Sequence, residues 1–216
     1  MGFLNQFVDI MIHLDKHLGM LILNYGMLTY IILFFIILFE TGLVVTPFLP
    51  GDSLIFAAAT FAALGVLNIY VLVVILLVAA ILGDTINYNI GKYFGGKLLG
   101  KEDSKLIKKE YIDKTNSYYD KYGGKTIIIA RFIPIVRTFA PFVAGIGSMK
   151  YKEFLTYNAI GGVLWVFSVS LLGFFFGNIP VVANNFSTVI IAIIIISILP
   201  PIVSVLKVKL TSKKVM

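Results

Sequence analysis

Arg131-Phe132-Ile133-Pro134-Ile135-Val136-Arg137 holds the only two arginines of the chain, within a largely apolar run from Thr126 to Gly147. An arginine inside a membrane segment costs roughly 3 kcal/mol on insertion scales, so it persists only by facing a polar cavity, pairing with a carboxylate or binding an anion. Its planar guanidinium also grips phosphate through two parallel hydrogen bonds. Pro134, Pro141, Gly145 and Gly147 in the same run argue against one straight helix. The segment over 126–148 therefore reads as a helix broken at membrane depth, with its charges facing something other than lipid.

A second stretch repeats this logic with the sign reversed. Residues 27–39 are apolar, Glu40 closes the run, and Thr41-Gly-Leu-Val-Val-Thr46-Pro47-Phe-Leu-Pro50-Gly51-Asp52 leads into an alanine-rich helix ending near Leu64. A straight spanning helix needs about 20 apolar residues. It does not accommodate two prolines, a glycine and two acids near its middle. The segment over about 28–64 is thus a second discontinuous or re-entrant element; residues 26–45 alone fit either a full span or the descending arm of a hairpin. Between the broken segments, 67–90 is a cleaner span, and Gly83-Asp84, Tyr88, Gly91 and Gly95 recur at its end at spacings that let another helix approach closely. Residues 152–178 and 187–206 form two more spans. The loop joining them, Ile179 to Phe186, is uncharged and predicted to face outward.

Composition sets the same class. The 216 residues are 59% hydrophobic and 13% charged, against about 25% charged in soluble domains. The chain is an all-α integral membrane protein with one membrane domain over 25–206. Residues 1–24, with Leu4, Phe7, Met11, Leu14 and Leu18 spaced among polar groups, read as an amphipathic helix at the interface, or as a polar first span. There is no cysteine, and both histidines, His13 and His17, lie in that N-terminal segment, so neither a metal site nor a cofactor is expected. The net charge of +7 comes from lysines: nine of sixteen fall between Lys92 and Lys125, and four follow Leu206. Positive-inside asymmetry makes the loop 92–125 and the tail 207–216 cytoplasmic. No nucleic-acid partner is implied. Ile107, Tyr111, Tyr118 and Tyr122 mark one face of a surface helix suited to anionic lipid headgroups.

Two broken segments, one acidic and one basic, each followed by an intact span, are the pattern of an inverted-repeat transporter whose two hairpin tips meet. The string from Glu40 to Asp52, then Gly83-Asp84 with Tyr88 and Gly91, then Arg131 to Thr138 followed by Ala144-Gly145, resembles the bacterial DedA family, which shares its core with the eukaryotic SNARE-associated, or VTT, membrane proteins. The resemblance covers about 25–180. It implies a polytopic protein of the bacterial cytoplasmic membrane with two re-entrant hairpins that transports lipid, undecaprenyl phosphate or phosphatidylethanolamine among the substrates.

The resemblance assigns functional roles to Glu40, Asp52, Arg131 and Arg137. The residues themselves agree. Arg131 and Arg137 are the candidate phosphate ligands; Glu40 and Asp52 are candidate proton-coupling groups and, between cycles, counter-charges. Desolvation favours a neutral acid and a neighbouring guanidinium the charged one, so arrival of phosphate could switch protonation. Pro47, Pro50 and Pro134 break the helices and leave backbone N–H groups near the site, beside Gly51. Asp84 reads first as a helix-end or structural acid, with a second relay carboxylate as the alternative, and Tyr88 as a supporting residue. Trp165 reads as an interface anchor or packing residue, and Gly161 and Gly162 as sites of close helix packing. The expected partners are a polyprenyl phosphate lipid and protons or another coupling ion; a homo-oligomer is compatible with the chain. An intramembrane phosphatase is the rival reading, with Thr41, Thr46, Ser53 and Thr138 as the nearby hydroxyls, but none has an evident base partner. A scaffold without transport, its four charges purely structural, is the third.

Overall fold

A computed structural model describes residues 13–43, 51–99, 123–147 and 149–177, with the isolated positions 9, 179, 180, 182 and 188. Pro47, Pro50, Thr46, most of the lysine-rich loop, the span at 187–206 and the basic tail lie outside the described residues. The described residues form helices without strands: α1 Leu14–Tyr25, α2 Leu28–Gly42, α3 Gly51–Ala63, α4 Ile69–Leu99, α5 Lys125–Ala130, α6 Pro134–Ile146 and α7 Tyr151–Phe176.

Two of these are long and apolar enough to cross a bilayer, Ile69–Phe94 within α4 and the whole of α7. Their outward faces show why the molecule is a membrane protein. Val71, Val74, Val78, Leu82 and Ile86 on α4, and Ile160, Val163, Leu164, Phe167 and Leu171 on α7, are exposed at helical spacing, an apolar surface that water would not tolerate at this extent. The span expected at 67–90 runs further than its sequence suggested: α4 continues past Lys92 to Leu99 without a break. Asn68 starts it, its side-chain oxygen accepting the N–H groups of Tyr70 and Val71 at 2.9 and 3.2 Å, an N-cap that satisfies two otherwise orphaned donors.

The broken segments are shorter. Helices α2, α3 and α6 have 15, 13 and 13 residues, about 20–23 Å each at 1.5 Å per residue, less than a hydrocarbon core of about 30 Å. The second break has a clear local cause. Ile133 is extended, at φ −116° and ψ 106°, because a residue followed by proline is pushed out of the helical region. Pro134 then opens α6, where its missing N–H loses no helical bond.

Packing divides each broken segment between the two spanning helices. Helix α2 packs on α4 while α3 packs on α7; α5 packs on α7 while α6 packs on α4. In both triplets, α2–α3–α4 and α5–α6–α7, the first half therefore lies on the span of its own triplet and the second half on the span of the other. Glycines permit this intimacy. A Cβ on Gly173 would come within 2.3 Å of the Phe56 carbonyl oxygen, and one on Gly145 within 2.1 Å of that of Tyr88. Tyr88 itself stacks on Phe154 and donates its hydroxyl to the Met149 carbonyl, tying α4 to the start of α7.

Helix α1 ends at Gly26, whose φ of 52° a glycine adopts without strain. Its apolar stripe, Leu14, Leu18 and Ile22, is buried, and the helix packs on α3. That face packs on the bundle, and Leu4, Phe7 and Met11 of the same stripe lie outside the described residues. Both histidines bond to Asp9, at 3.0 and 3.1 Å, and these hydrogen bonds, that of His17 foremost, hold the exposed Asp9 carboxyl below its usual range.

Candidate functional site

The breaks put charge at the centre of the bundle. Arg137, in the first turn of α6, donates from Nη2 to Glu40 Oε1 at 2.6 Å and from Nη1 to Asp52 Oδ1 at 3.0 Å. Its fork thus bridges the end of α2 and the start of α3. The Gly51 N–H also donates to Glu40 Oε1, at 3.3 Å, so the N-terminus of α3 and a guanidinium hold the same carboxylate, an arrangement favoured by the helix dipole. A Cβ on Gly51 would lie 1.8 Å from Glu40 Oε2, so any larger residue there must displace the carboxylate.

Arg131 caps the C-terminus of α5 and turns elsewhere. Its Nη2 donates to Asp84 Oδ2 and to Asn158 Oδ1, and Asn158 in turn donates from Nδ2 to the Ile81 carbonyl at 3.1 Å. Gly161 and Gly162 make room for the guanidinium, since a Cβ on either would lie within 3.3 to 3.5 Å of an Arg131 nitrogen. Trp165 joins the two halves. Its indole Nε1–H donates to Asp52 Oδ1 at 2.7 Å, and its ring centre is 4.7 Å from the Arg137 guanidinium carbon and 5.8 Å from that of Arg131, both within cation–π range.

The structure changes one of the sequence readings here and narrows two others. The counter-charge of Arg131 is Asp84, whereas Glu40 and Asp52 both pair with Arg137. Of the two forms of its reading, Asp84 takes the structural one and not the helix-end one: it lies in the interior of α4 at 2% exposure, paired with Arg131. Trp165, at 1% exposure, is a packing residue of the core and not an interface anchor. Glu40, Asp52, Arg131 and Arg137 do share one cluster, with Asp84 as a fifth charge. Gly51 and Pro134 stand at helix starts beside it, while Tyr88 supports α4 one turn beyond Asp84. Ser53, Thr41 and Thr138 are buried, and the Thr41 hydroxyl donates to its own helix at the Ile37 carbonyl. Among the described residues no group of histidines and acids has the makings of a metal site.

Sequence reasoning passed over Asn158, Asn87 and the site role of Trp165. The signal was present as spacing: Asn158, Gly161, Gly162 and Trp165 fall at i, i+3, i+4 and i+7, one face of α7, and Asp84, Asn87, Tyr88 and Gly91 repeat that spacing on α4.

The cluster is incomplete in its hydrogen bonding. Among the described residues, Arg131 Nε and Nη1, Arg137 Nε, Glu40 Oε2 and Asp84 Oδ1 are buried without a partner, although buried polar atoms are normally satisfied. Of the five charged groups only Asp52 reaches the surface, with 21% of its side chain exposed against 4% or less for the rest.

The VTT domain family matches residues 49–175, a span that contains Asp52, Asp84, both arginines and Trp165. The protein DedA of Escherichia coli K12 is 51% identical over 202 residues, 93% of this chain and 92% of that one.

This chain belongs to the DedA family of VTT-domain membrane proteins.

The membrane protein Rv0364 of Mycobacterium tuberculosis is 42% identical over 78% of this chain and 74% of its own, and the E. coli inner membrane protein YghB is 30% identical over 73% and 72%. No solved structure matches. Four of the five charged residues of the cluster, Asp52, Asp84, Arg131 and Arg137, thus fall within the matched VTT domain, and Glu40 precedes it.

Proposed function

We propose that this DedA-family protein is a transporter, not an enzyme, that moves a phosphorylated lipid, undecaprenyl phosphate foremost, across the bacterial cytoplasmic membrane with proton coupling. The observation that carries the reading is the set of unpartnered guanidinium N–H groups around Trp165. They are donors aimed into a buried cluster, and a phosphate monoester is the ligand whose oxygens match them in charge and geometry.

Charge counting supports the coupling. Three carboxylates and two guanidiniums make the ionised cluster net negative by one, and a phosphate monoester would add to that. Arrival of the headgroup must therefore displace Glu40 or Asp52 from Arg137, and a displaced carboxylate in such surroundings takes a proton. Asp52, the group that reaches the surface, is the one by which the headgroup would enter. The exchange of halves between α4 and α7 supports two hairpins that enter from opposite faces, with the lysine-rich loop inside.

Phosphatase chemistry is the competing reading, and it needs a nucleophile with a base. Both histidines are bonded to Asp9, away from the arginines. The test is reconstitution into liposomes carrying labelled undecaprenyl phosphate in one leaflet. Exchange between leaflets is expected. Release of inorganic phosphate would assign the enzyme instead, and absence of both would leave the charges as a structural lock.

A further inference from the structure

We propose that Asn87 is a positioning residue that holds the Glu40–Arg137 pair in register. Its side-chain Nδ2 donates to the Thr41 carbonyl at 3.1 Å and to the Thr138 carbonyl at 2.7 Å. Each acceptor belongs to the residue directly after a member of the ion pair. Both are carbonyls, so the amide nitrogen and not the oxygen must face them. Asn87 is fully buried, and nothing about lipid contact or solubility explains an amide there.

The surroundings of Asn87 are built for this double bond. Thr41 lies in the last turn of α2, where carbonyls lack an intrahelical partner. Four residues before Asn87, Gly83 lets α2 approach: a Cβ there would lie 1.9 Å from Thr41 Oγ1 and 2.9 Å from the Leu38 carbonyl oxygen. Four residues after it, Gly91 lets α6 approach, since a Cβ would lie 2.1 Å from the Phe142 carbonyl oxygen. Helix α4 thus has a notch for α2 on one turn and a notch for α6 on another, and Asn87 between them donates to both. The long side chains of Glu40 and Arg137 could meet in many geometries; fixing the backbone one residue beyond each restricts them to one. This role rests on the cluster being the site of lipid-phosphate binding.

The test has two arms that fail separately. Because the chain has no cysteine, spin labels can be placed solely at cysteines introduced for Phe35 on α2 and Phe139 on α6, both exposed. Asn87→Ala is expected to broaden the distance distribution between them, whereas Asn158→Ala, which removes a partner of Arg131, leaves it sharp. An unchanged distribution in Asn87→Ala, or equal broadening in both variants, overturns the proposal. If Asn87→Ala does not accumulate, Asn87→Ser keeps one donor and should broaden the distribution partially, and no broadening there overturns it equally. In the second arm, farnesyl phosphate is titrated against the emission of Trp165, the single tryptophan. Asn87→Ala should weaken binding about tenfold, the size expected for losing buried hydrogen bonds that orient a charged pair. A wild-type protein whose emission does not respond sinks the phosphate reading, while the spin-label arm still decides the role of Asn87; a responsive wild type with unaltered affinity in Asn87→Ala counts against the positioning role.

Discussion

Gly51→Ala is the sharpest small perturbation available. At an ordinary helix start this exchange is neutral or gains up to about 1 kcal/mol, since alanine is the better helix former. Here the added Cβ would sit 1.8, 2.4 and 2.6 Å from Oε2, Cδ and Oε1 of Glu40. No carboxylate accepts such contacts, so Glu40 must swing away and abandon its 2.6 Å bond to Arg137. Breaking a buried ion pair by removing one partner costs about 3–5 kcal/mol, and the lower figure applies because Arg137 keeps Asp52. In a chain of roughly this size 1 kcal/mol moves Tm by about 2–4 °C, so the variant should melt about 6–12 °C lower. Thermal unfolding in detergent, followed by Trp165 emission, measures this. The companion is Gly51→Ala in a Glu40→Ala background, where the clash is gone and the added step should be within about 2 °C. A single variant that melts at or above the wild-type temperature would refute the placement of Glu40 over the α3 N-terminus.

Arg137→Lys should reduce lipid translocation at least tenfold with near-normal accumulation, because an ammonium cannot span Glu40 and Asp52 as the planar fork does; liposome exchange at matched protein levels measures it. Glu40→Gln should insert normally yet lose the dependence of transport on an imposed proton gradient, an unchanged dependence placing the coupling elsewhere. Binding of farnesyl phosphate should take up protons and hence tighten as pH falls, which calorimetry in buffers of different ionisation heat detects; proton release would contradict the displacement step. Single cysteines at Val66, just before α4, and Lys152, at the start of α7, should label from opposite sides of the membrane, and labelling of both from one side would refute the proposed topology.

Much of the site was legible because the membrane makes charge rare. Glu40, Asp52, Arg131 and Arg137 stand out in apolar sequence, and proline beside them marks where the helices stop. The pairing was not legible, since it depends on which way the chain turns over Arg131, Phe132 and Ile133, a matter of three residues of backbone that hydropathy does not encode. Asp84 left two forms of its reading open because a single acid near the end of an apolar run looks the same whether the helix stops or, as here, continues for about four more turns to Leu99. Trp165 left anchoring and packing open because tryptophan is enriched at membrane boundaries, and the glycines and Asn158 on its own face are what betray that it points inward.

The sharing of each broken segment between two spans bears on how the protein is made. Glu40 and Asp52 leave the ribosome well before their partner: 85 residues separate Asp52 from Arg137, and 113 separate it from Trp165. At about 5–20 residues per second, that is roughly 4–17 s for the arginine alone. Throughout that interval α3 has neither its countercharge nor α7 to lie on, so it cannot settle in lipid as it stands in the finished molecule. The nascent first half must keep its acids wet, and the second half completes the site by arriving, which makes α7 the last piece of a lock rather than one more helix added to a bundle.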